Sequence, residues 1–320
     1  MNNSVSDSKA SFYTSSLVII LGSCISCALW GSAAPCIKIG YRLFDVDTAQ
    51  LASILLFAGI RFTLAGLLVA AAISIRDRRP VLPSVSDLPQ ILLLGLSQTA
   101  IQYSCFYTGV AHTSSLKASL YNGAGPFLNV LVSCLIFHLE SFSLRKFAGC
   151  FIGFAGLVLI VLDGSDSNIG GFALTGEGLI VAAGLSSAVA SCFARHFTKK
   201  QDPLMLCAYQ FITGGLIMVL TGLSGGGNIS YGGLSGSLLM LYMGIISSVA
   251  FGIRMVLLKY NNVSRIAVYN FLTPVFGVIF SALILGENAF SLRLLISLLL
   301  VILGIYTVNH QPRPLSGQKS

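Results

Sequence analysis

Twice along this 320-residue chain a tyrosine and an asparagine are followed, at the same distance, by a proline: Tyr121, Asn122 and Pro126, then Tyr269, Asn270 and Pro274. A proline inside a helix cannot donate to the carbonyl four residues earlier. Pro126 therefore frees the carbonyl of Asn122, and Pro274 that of Asn270, each beside an amide side chain and a phenol. In apolar surroundings such groups need partners, which suits a cavity holding a polar solute, with Pro126 and Pro274 as hinges. Three basic residues stand in apolar sequence as well: Lys38, Arg61 and Arg254. A charge at the centre of a membrane helix costs about 2.5–3.5 kcal/mol, and guanidinium forks fit carboxylates and phosphates. Arg254 is read as substrate-binding, and Lys38 and Arg61 as possible charge-pairing groups; Lys38, near a span end, can also snorkel to the interface. The candidate substrate set is Trp30, Gln102, Tyr103, Tyr121, Asn122, Arg254, Tyr269 and Asn270.

Other chemistries find little support. No Asp or Glu is placed in mid-membrane: Glu140 and Glu287 are read at matching span ends, and the rest in loops or tails. A buried carboxylate relay for ion coupling is not visible, and His112, His138 and His196 fall near span ends, where a surface role is the plain reading. Cys24 and Cys27 have CxxC spacing, but no second pair or histidine cluster completes a metal site, and all eight cysteines lie in apolar runs as packing residues. No phosphate-cradling P-loop is present. The tetrapeptide Gly233, Leu234, Ser235, Gly236 matches a rhomboid-type nucleophile motif, yet only His310 follows it, at the predicted opposite face. The chain reads as no enzyme, with no cofactor and no metal.

What must position these residues is a set of membrane helices. The chain is 55% hydrophobic and 9% charged, with a mean hydropathy of +0.84, too little polar surface for a soluble protein of this size. Apolar runs of about 18–25 residues, each able to cross a ~30 Å hydrocarbon core, fall at 17–40, 49–74, 88–111, 115–138 and 143–162, then at 173–195, 203–223, 236–259, 264–286 and 290–309. Lys117 to Gly156 recurs as Arg265 to Gly304 at a 148-residue offset, with Ser143, Leu144, Arg145 matching Ser291, Leu292, Arg293. Arg61, Phe62 and Gly66 face Gln210, Phe211 and Gly215, one residue further along. Lys and Arg gather in the loops that share a side with both termini, as the positive-inside rule requires of cytoplasmic segments. An odd number of spans per half then inverts the second half.

The expected fold is an all-α integral membrane protein of ten transmembrane helices in two inverted five-helix repeats, 17–164 and 165–309, between polar cytoplasmic tails 1–16 and 310–320. The Gly-rich loop 222–236 is read as exterior. The +8 charge is ascribed to loops facing anionic lipid, and no nucleic-acid partner is expected. Gly149, Gly153 and Gly156 allow close helix approach, either internally or across a dimer seam, so monomer and homodimer both stay open.

These residues resemble the EamA branch of the drug/metabolite transporter superfamily over nearly the whole chain. The first half carries it in Trp30, Gly31, Ser32 and Lys38, Arg61 and Phe62, Thr113 to Ala118, and Glu140 with Ser143, Leu144, Arg145. The second carries it in Ser264 to Ala267, Thr273 to Phe276, Leu285 to Glu287, and Ser291, Leu292, Arg293. The resemblance implies a ten-helix carrier whose cavity is lined by spans 1, 3, 4, 6, 8 and 9, with spans 5 and 10 at the rim. This chain departs from it in lacking a second-half tryptophan matching Trp30 and in placing Arg254 where many relatives have an apolar or aromatic residue. The expected function is secondary transport of a small polar metabolite, amino-acid-like or otherwise anionic or zwitterionic, by export or exchange through alternating access. A passive channel is the alternative. The expected location is the cell (inner) membrane.

Overall fold

The computed structural model describes residues 10–113, 121–161, 173–285 and 292–310. Lys117 and Glu287, and the side chains of Lys38 and Arg293, lie outside the described residues. Secondary structure among the described residues is helical throughout. In chain order the helices are α1 (Ser16–Leu43), α2 (Leu51–Asp77), α3 (Leu88–Leu94, continued by Gly95–Ile101 and Gln102–Ala111), α4 (Gly125–Leu131 and Val132–Ile136) and α5 (Leu144–Val161). The second half repeats the series as α6 (Leu174–Gly178 and Leu179–Phe197), α7 (Pro203–Ser224), α8 (Gly233–Tyr260), α9 (Val263–Ala267, Val268–Phe271 and Leu272–Leu285) and α10 (Leu292–Asn309).

Local chemistry accounts for several of these ends. Asp202 accepts from the amides of Leu204 and Met205, both at 2.9 Å, ahead of Pro203 in the first turn of α7, where its missing N–H is no loss. Arg195 of α6 donates to the last carbonyls of α8, Leu258 at 3.0 Å and Lys259, so a cation meets a helix C-terminus. In the middle of α3 the backbone widens into a π-helical segment, and Ser186 of α6 donates to the Ser97 carbonyl there at 2.7 Å.

Equivalent helices of the two halves meet each other, antiparallel. Along α2 and α7, a Cβ on Gly59 would lie 2.8 Å from the Gly215 carbonyl, and one on Gly66 would lie 2.5 Å from that of Ala208. Along α5 and α10, a Cβ on Gly149 would lie 2.8 Å from the Gly304 carbonyl, while Ser297 donates to the Gly156 carbonyl at 2.5 Å. The glycine motif of α5 is thus an internal seam. The remaining packing also follows the repeat, with α1 against α8 and α9 as α6 packs against α3 and α4.

Outward faces are apolar. Leu295, Leu299, Ile302 and Leu303 form an exposed stripe on α10, and Leu238, Leu241, Ile245 and Val249 one on α8, at the three-to-four-residue spacing of a lipid-facing surface. Among the described residues, five helices are long and apolar enough to cross a membrane: Ser16–Ala33, Leu51–Asp77, Leu174–Phe197, Pro203–Ser224 and Gly233–Tyr260, with shorter apolar helices at Gly125–Ile136 and Leu295–Asn309. The expected ten spans are therefore matched by length in five.

Two local expectations need correction. Pro126 does not lie inside a continuous helix, whereas Pro274 lies in a helical run distorted just before it. Pro126 is in the first turn of Gly125–Leu131, after a turn in which the Ala124 amide donates to the Tyr121 carbonyl at 3.1 Å. Pro274 opens Leu272–Leu285 directly after the 3-10 turn Val268–Phe271. A fixed φ and an absent N–H suit a first turn better than a helix interior; the first half has a turn before its proline, and the second a 3-10 segment within an unbroken helical run. Glu177 is not in a loop: it stands at the start of α6, 2% exposed, accepting from the Thr113 hydroxyl at 2.6 Å and the Ala173 amide at 2.8 Å.

Candidate functional site

Arg254 lies deep in α8, 7% exposed. Its Nη2 donates to the Ser191 hydroxyl of α6 at 2.9 Å and its Nη1 to the Asn270 side-chain oxygen of α9 at 3.3 Å. The guanidinium carbon sits 5.6 Å from the Trp30 ring centroid, a cation–π contact from α1. Three helices thus converge on a cation carried by a fourth, and all three contacts are neutral. Among the described residues no carboxylate pairs with it.

Beside this guanidinium is a small open-mouthed cleft, whose cavity volume of about 10 Å³ admits little more than a water molecule. Ser23, Ser26, Cys27 and Trp30 of α1 form one wall, and Arg254, Leu257, Ile266 and Asn270 of α8 and α9 the other. Its polar groups are mostly donors. Arg254 Nε, Trp30 Nε1 and the Ser23 hydroxyl are buried without a hydrogen-bond partner, a state that folded proteins rarely leave unanswered. Ser26 and Cys27 are already engaged, donating to the Ala250 and Tyr269 carbonyls, both at 3.2 Å. A donor-rich, positively charged cleft without a carboxylate matches an anion, carboxylate or phosphate, and offers nothing to pair with a buried ammonium.

Of the residues expected at the site, Trp30, Arg254 and Asn270 meet here. Tyr269 is buried next to them, 6% exposed, and contributes its carbonyl to Cys27. Tyr103 of α3 is reached through rings: it packs on Phe62 at 4.4 Å, and its hydroxyl is within electrostatic range of both Arg254 and Arg61. Gln102 accepts from Gln98 at 2.7 Å and is not a wall of the cleft. Asn122 is exposed and Tyr121 half-buried, and neither lines it. Matching positions in the two halves thus differ in setting: Asn270 meets Arg254, whereas Asn122 is exposed. Arg61 is buried at a distance from this cleft, donating to Ser247 at 3.0 Å.

Sequence reasoning missed Ser23, Ser191 and Ser247, since small hydroxyl residues are common in apolar helices and carry no spacing signal of their own. The serine of the rhomboid-like tetrapeptide has no histidine near it: Ser235 opens α8 close to Phe44, and His310 closes α10 close to Arg145. All eight cysteines are free, and no group of metal ligands occurs among the described residues.

Comparison with known proteins agrees with this architecture. The model of the EamA-like transporter family matches residues 17–162 and again 174–310. The chain is 26% identical over 260 residues to a WAT1-related chloroplastic protein of Arabidopsis thaliana, covering 79% of this chain and 62% of that one. It is 27% identical to the uncharacterized transporter YdfC of Bacillus subtilis, covering 87% of this chain and 86% of that protein. It is 24% identical to the uncharacterized inner membrane transporter YedA of Escherichia coli, over 89% and 90%. A solved crystal structure superposes with a TM-score of 0.74 at 20% identity, covering 92% of this chain and 97% of that one, which shows a shared fold. With a family match in each half, and the halves meeting helix for helix along glycine seams, this multi-pass membrane protein belongs to the EamA-like transporter family.

Proposed function

We propose that the protein is a secondary carrier for a small organic anion, a metabolite recognised by its carboxylate or phosphate group, moved by exchange or export through alternating access. The observation that carries this reading is Arg254: a buried cation held by Ser191, Asn270 and the face of Trp30, paired with no carboxylate among the described residues, in a cleft whose spare groups are donors. A guanidinium held by neutral groups alone gains most when an anion binds. Since no carboxylate faces the cleft, an anion fits better than a zwitterion.

In this reading all ten helices span the cell (inner) membrane, with both termini cytoplasmic. The substrate contacts Trp30, Arg254 and Asn270, with Tyr103 and Tyr269 as nearby aromatic walls. The α4 and α9 helices rock about the turn before Pro126 and the 3-10 segment before Pro274. The test is uptake into liposomes of labelled anionic, zwitterionic and neutral metabolite pools, each with preloaded counter-substrate. Saturable flux of the anionic pool that preloading accelerates and that Arg254→Gln reduces at least tenfold is expected. Flux confined to neutral solutes would overturn the anion assignment, and non-saturable flux would favour a channel.

A further inference from the structure

A second buried guanidinium stands at the other end of a continuous run of aromatic rings that begins at Trp30. Trp30 meets Phe251 at 5.1 Å, Phe251 meets Phe211 at 5.0 Å, and Phe211 stacks on Phe62 at 5.5 Å. Arg254 lies over the Trp30 end, and Arg61 lies over the other, 5.1 Å from the Phe62 centroid. Arg61 is 4% exposed, donates through Nη2 to Ser247 and leaves Nε without a partner. Like Arg254, it meets no carboxylate among the described residues. Ser247 and Arg254 are two turns, about 10 Å, apart on α8, so the two cations address that helix at different depths.

Their surroundings place them toward opposite ends of the bundle. The Arg254 cleft is lined from the first half of α1, by Ser23, Ser26 and Cys27. Arg61 is flanked by the hydroxyls of Tyr41, near the last turn of α1, and of Tyr107 on the distal part of α3. Packing alone does not require the charge. Gln210 occupies the matching position in the other half, stacked through its neighbour Phe211 on Phe62, and is fully buried and neutral.

We propose that Arg61 is a second anion station, which receives the carboxylate or phosphate group of the same substrate when it arrives from the face opposite the chain termini. This rests on the carrier reading above. The buried ring ladder keeps the stations apart: its electron-rich faces offer an anion nothing, so each guanidinium holds the anion in turn. Tyr103, in range of both cations, offers a hydroxyl on the way.

The sole tryptophan makes the two stations separable, because Trp30 lies against Arg254 and Arg61 is at the far end of the ladder. Succinate and inorganic phosphate would be titrated against Trp30 emission in the purified protein, and their exchange measured in oriented vesicles of both senses, for the wild type, Arg61→Lys, Arg61→Gln and Arg254→Gln. The expected result for Arg61→Gln is a Trp30 midpoint within about twofold of wild type. Its KM should rise at least tenfold for anion presented opposite the termini, with the KM from the termini side little changed. Arg61→Lys should recover part of the loss, since charge remains but the fork does not; if Arg61→Gln does not fold, Arg61→Lys carries the test through the same one-sided KM shift. An unchanged KM on both sides, or an equal rise on both, would overturn the second station. Loss of the whole response in the wild type, with neither Trp30 change nor exchange for either anion, would instead bring down the carrier reading on which it rests.

Discussion

Arg254 concentrates the residue-scale chemistry. Its bonds to Ser191 and Asn270 fix a planar fork in place, and lysine cannot reproduce that geometry. Arg254→Lys should therefore weaken anion binding by about tenfold, about 1.4 kcal/mol, and Arg254→Gln by more, read as the KM of exchange in liposomes. Trp30 makes a separable contribution. Its ring faces the guanidinium while its indole N–H is buried without a partner. Trp30→Phe keeps a ring for the cation but removes the donor. If that donor meets substrate, KM should rise about three- to tenfold, the worth of one hydrogen bond of about 1 kcal/mol; an unchanged KM would remove the indole from the site.

At the scale of elements, the seams and the latch between α5 and α9 set what can move. Where α1 crosses α9, a Cβ on Gly31 would lie 2.8 Å from the Gly277 amide nitrogen, whereas one on Gly277 would have only the Gly31 carbonyl, at 3.9 Å. Gly31→Ala should lower stability by about 1–3 kcal/mol through overpacking, and Gly277→Ala should be tolerated; thermal unfolding in detergent checks both. Glu140, in the α4–α5 connection, ties Lys146 at 2.6 Å to the start of α9, accepting from the Ser264 amide at 3.0 Å and from its hydroxyl. Burial pushes the Glu140 carboxyl up, but the bonds from Lys146 and Ser264 outweigh it and hold the group below its ordinary 4.5. A depressed carboxyl stabilises the fold above that value and loses the contribution as pH falls through its folded pKa. Unfolding temperature should therefore drop from neutral pH toward about pH 3 more steeply in wild type than in Glu140→Gln.

For the whole molecule, the consequence concerns the empty carrier. With no anion bound, two buried guanidiniums lack a charge partner among the described residues, and reorienting them uncompensated across a low-dielectric core is costly. Exchange of anion for anion should therefore exceed net efflux into anion-free medium by at least tenfold, measured as release of preloaded labelled anion with and without external anion. Equal rates would mean that the empty form reorients freely. In the proposed carrier, the antiparallel meeting of α2 with α7 and of α5 with α10 would give the motion its frame, since backbones in contact through glycine leave little room for sliding there. On the carrier reading proposed above, the motion falls to helices outside these seams, α4 and α9 among them.

Much of this was legible from the residues alone. Hydropathy marked where the helices lie, because lipid demands unbroken apolar runs; α3 ends at Ala111 and α5 begins at Leu144, close to the boundaries read from Thr113 and from Glu140 to Arg145. The repeat announced itself because both halves kept Tyr, Asn and Pro at one spacing. Buried basic residues were likewise visible, since charge in an apolar run is conspicuous. Only the tertiary structure decided which of those groups share a site. It joined Arg254 to Asn270 and left Asn122 exposed. It made the glycines of α5 an internal seam, although their spacing would serve a dimer equally well. It also placed a turn before Pro126 and a 3-10 segment before Pro274, and brought Ser191 to Arg254 from another helix. Periodicity and composition act along the chain, within a turn or two; partners across the bundle are chosen by how the helices pack.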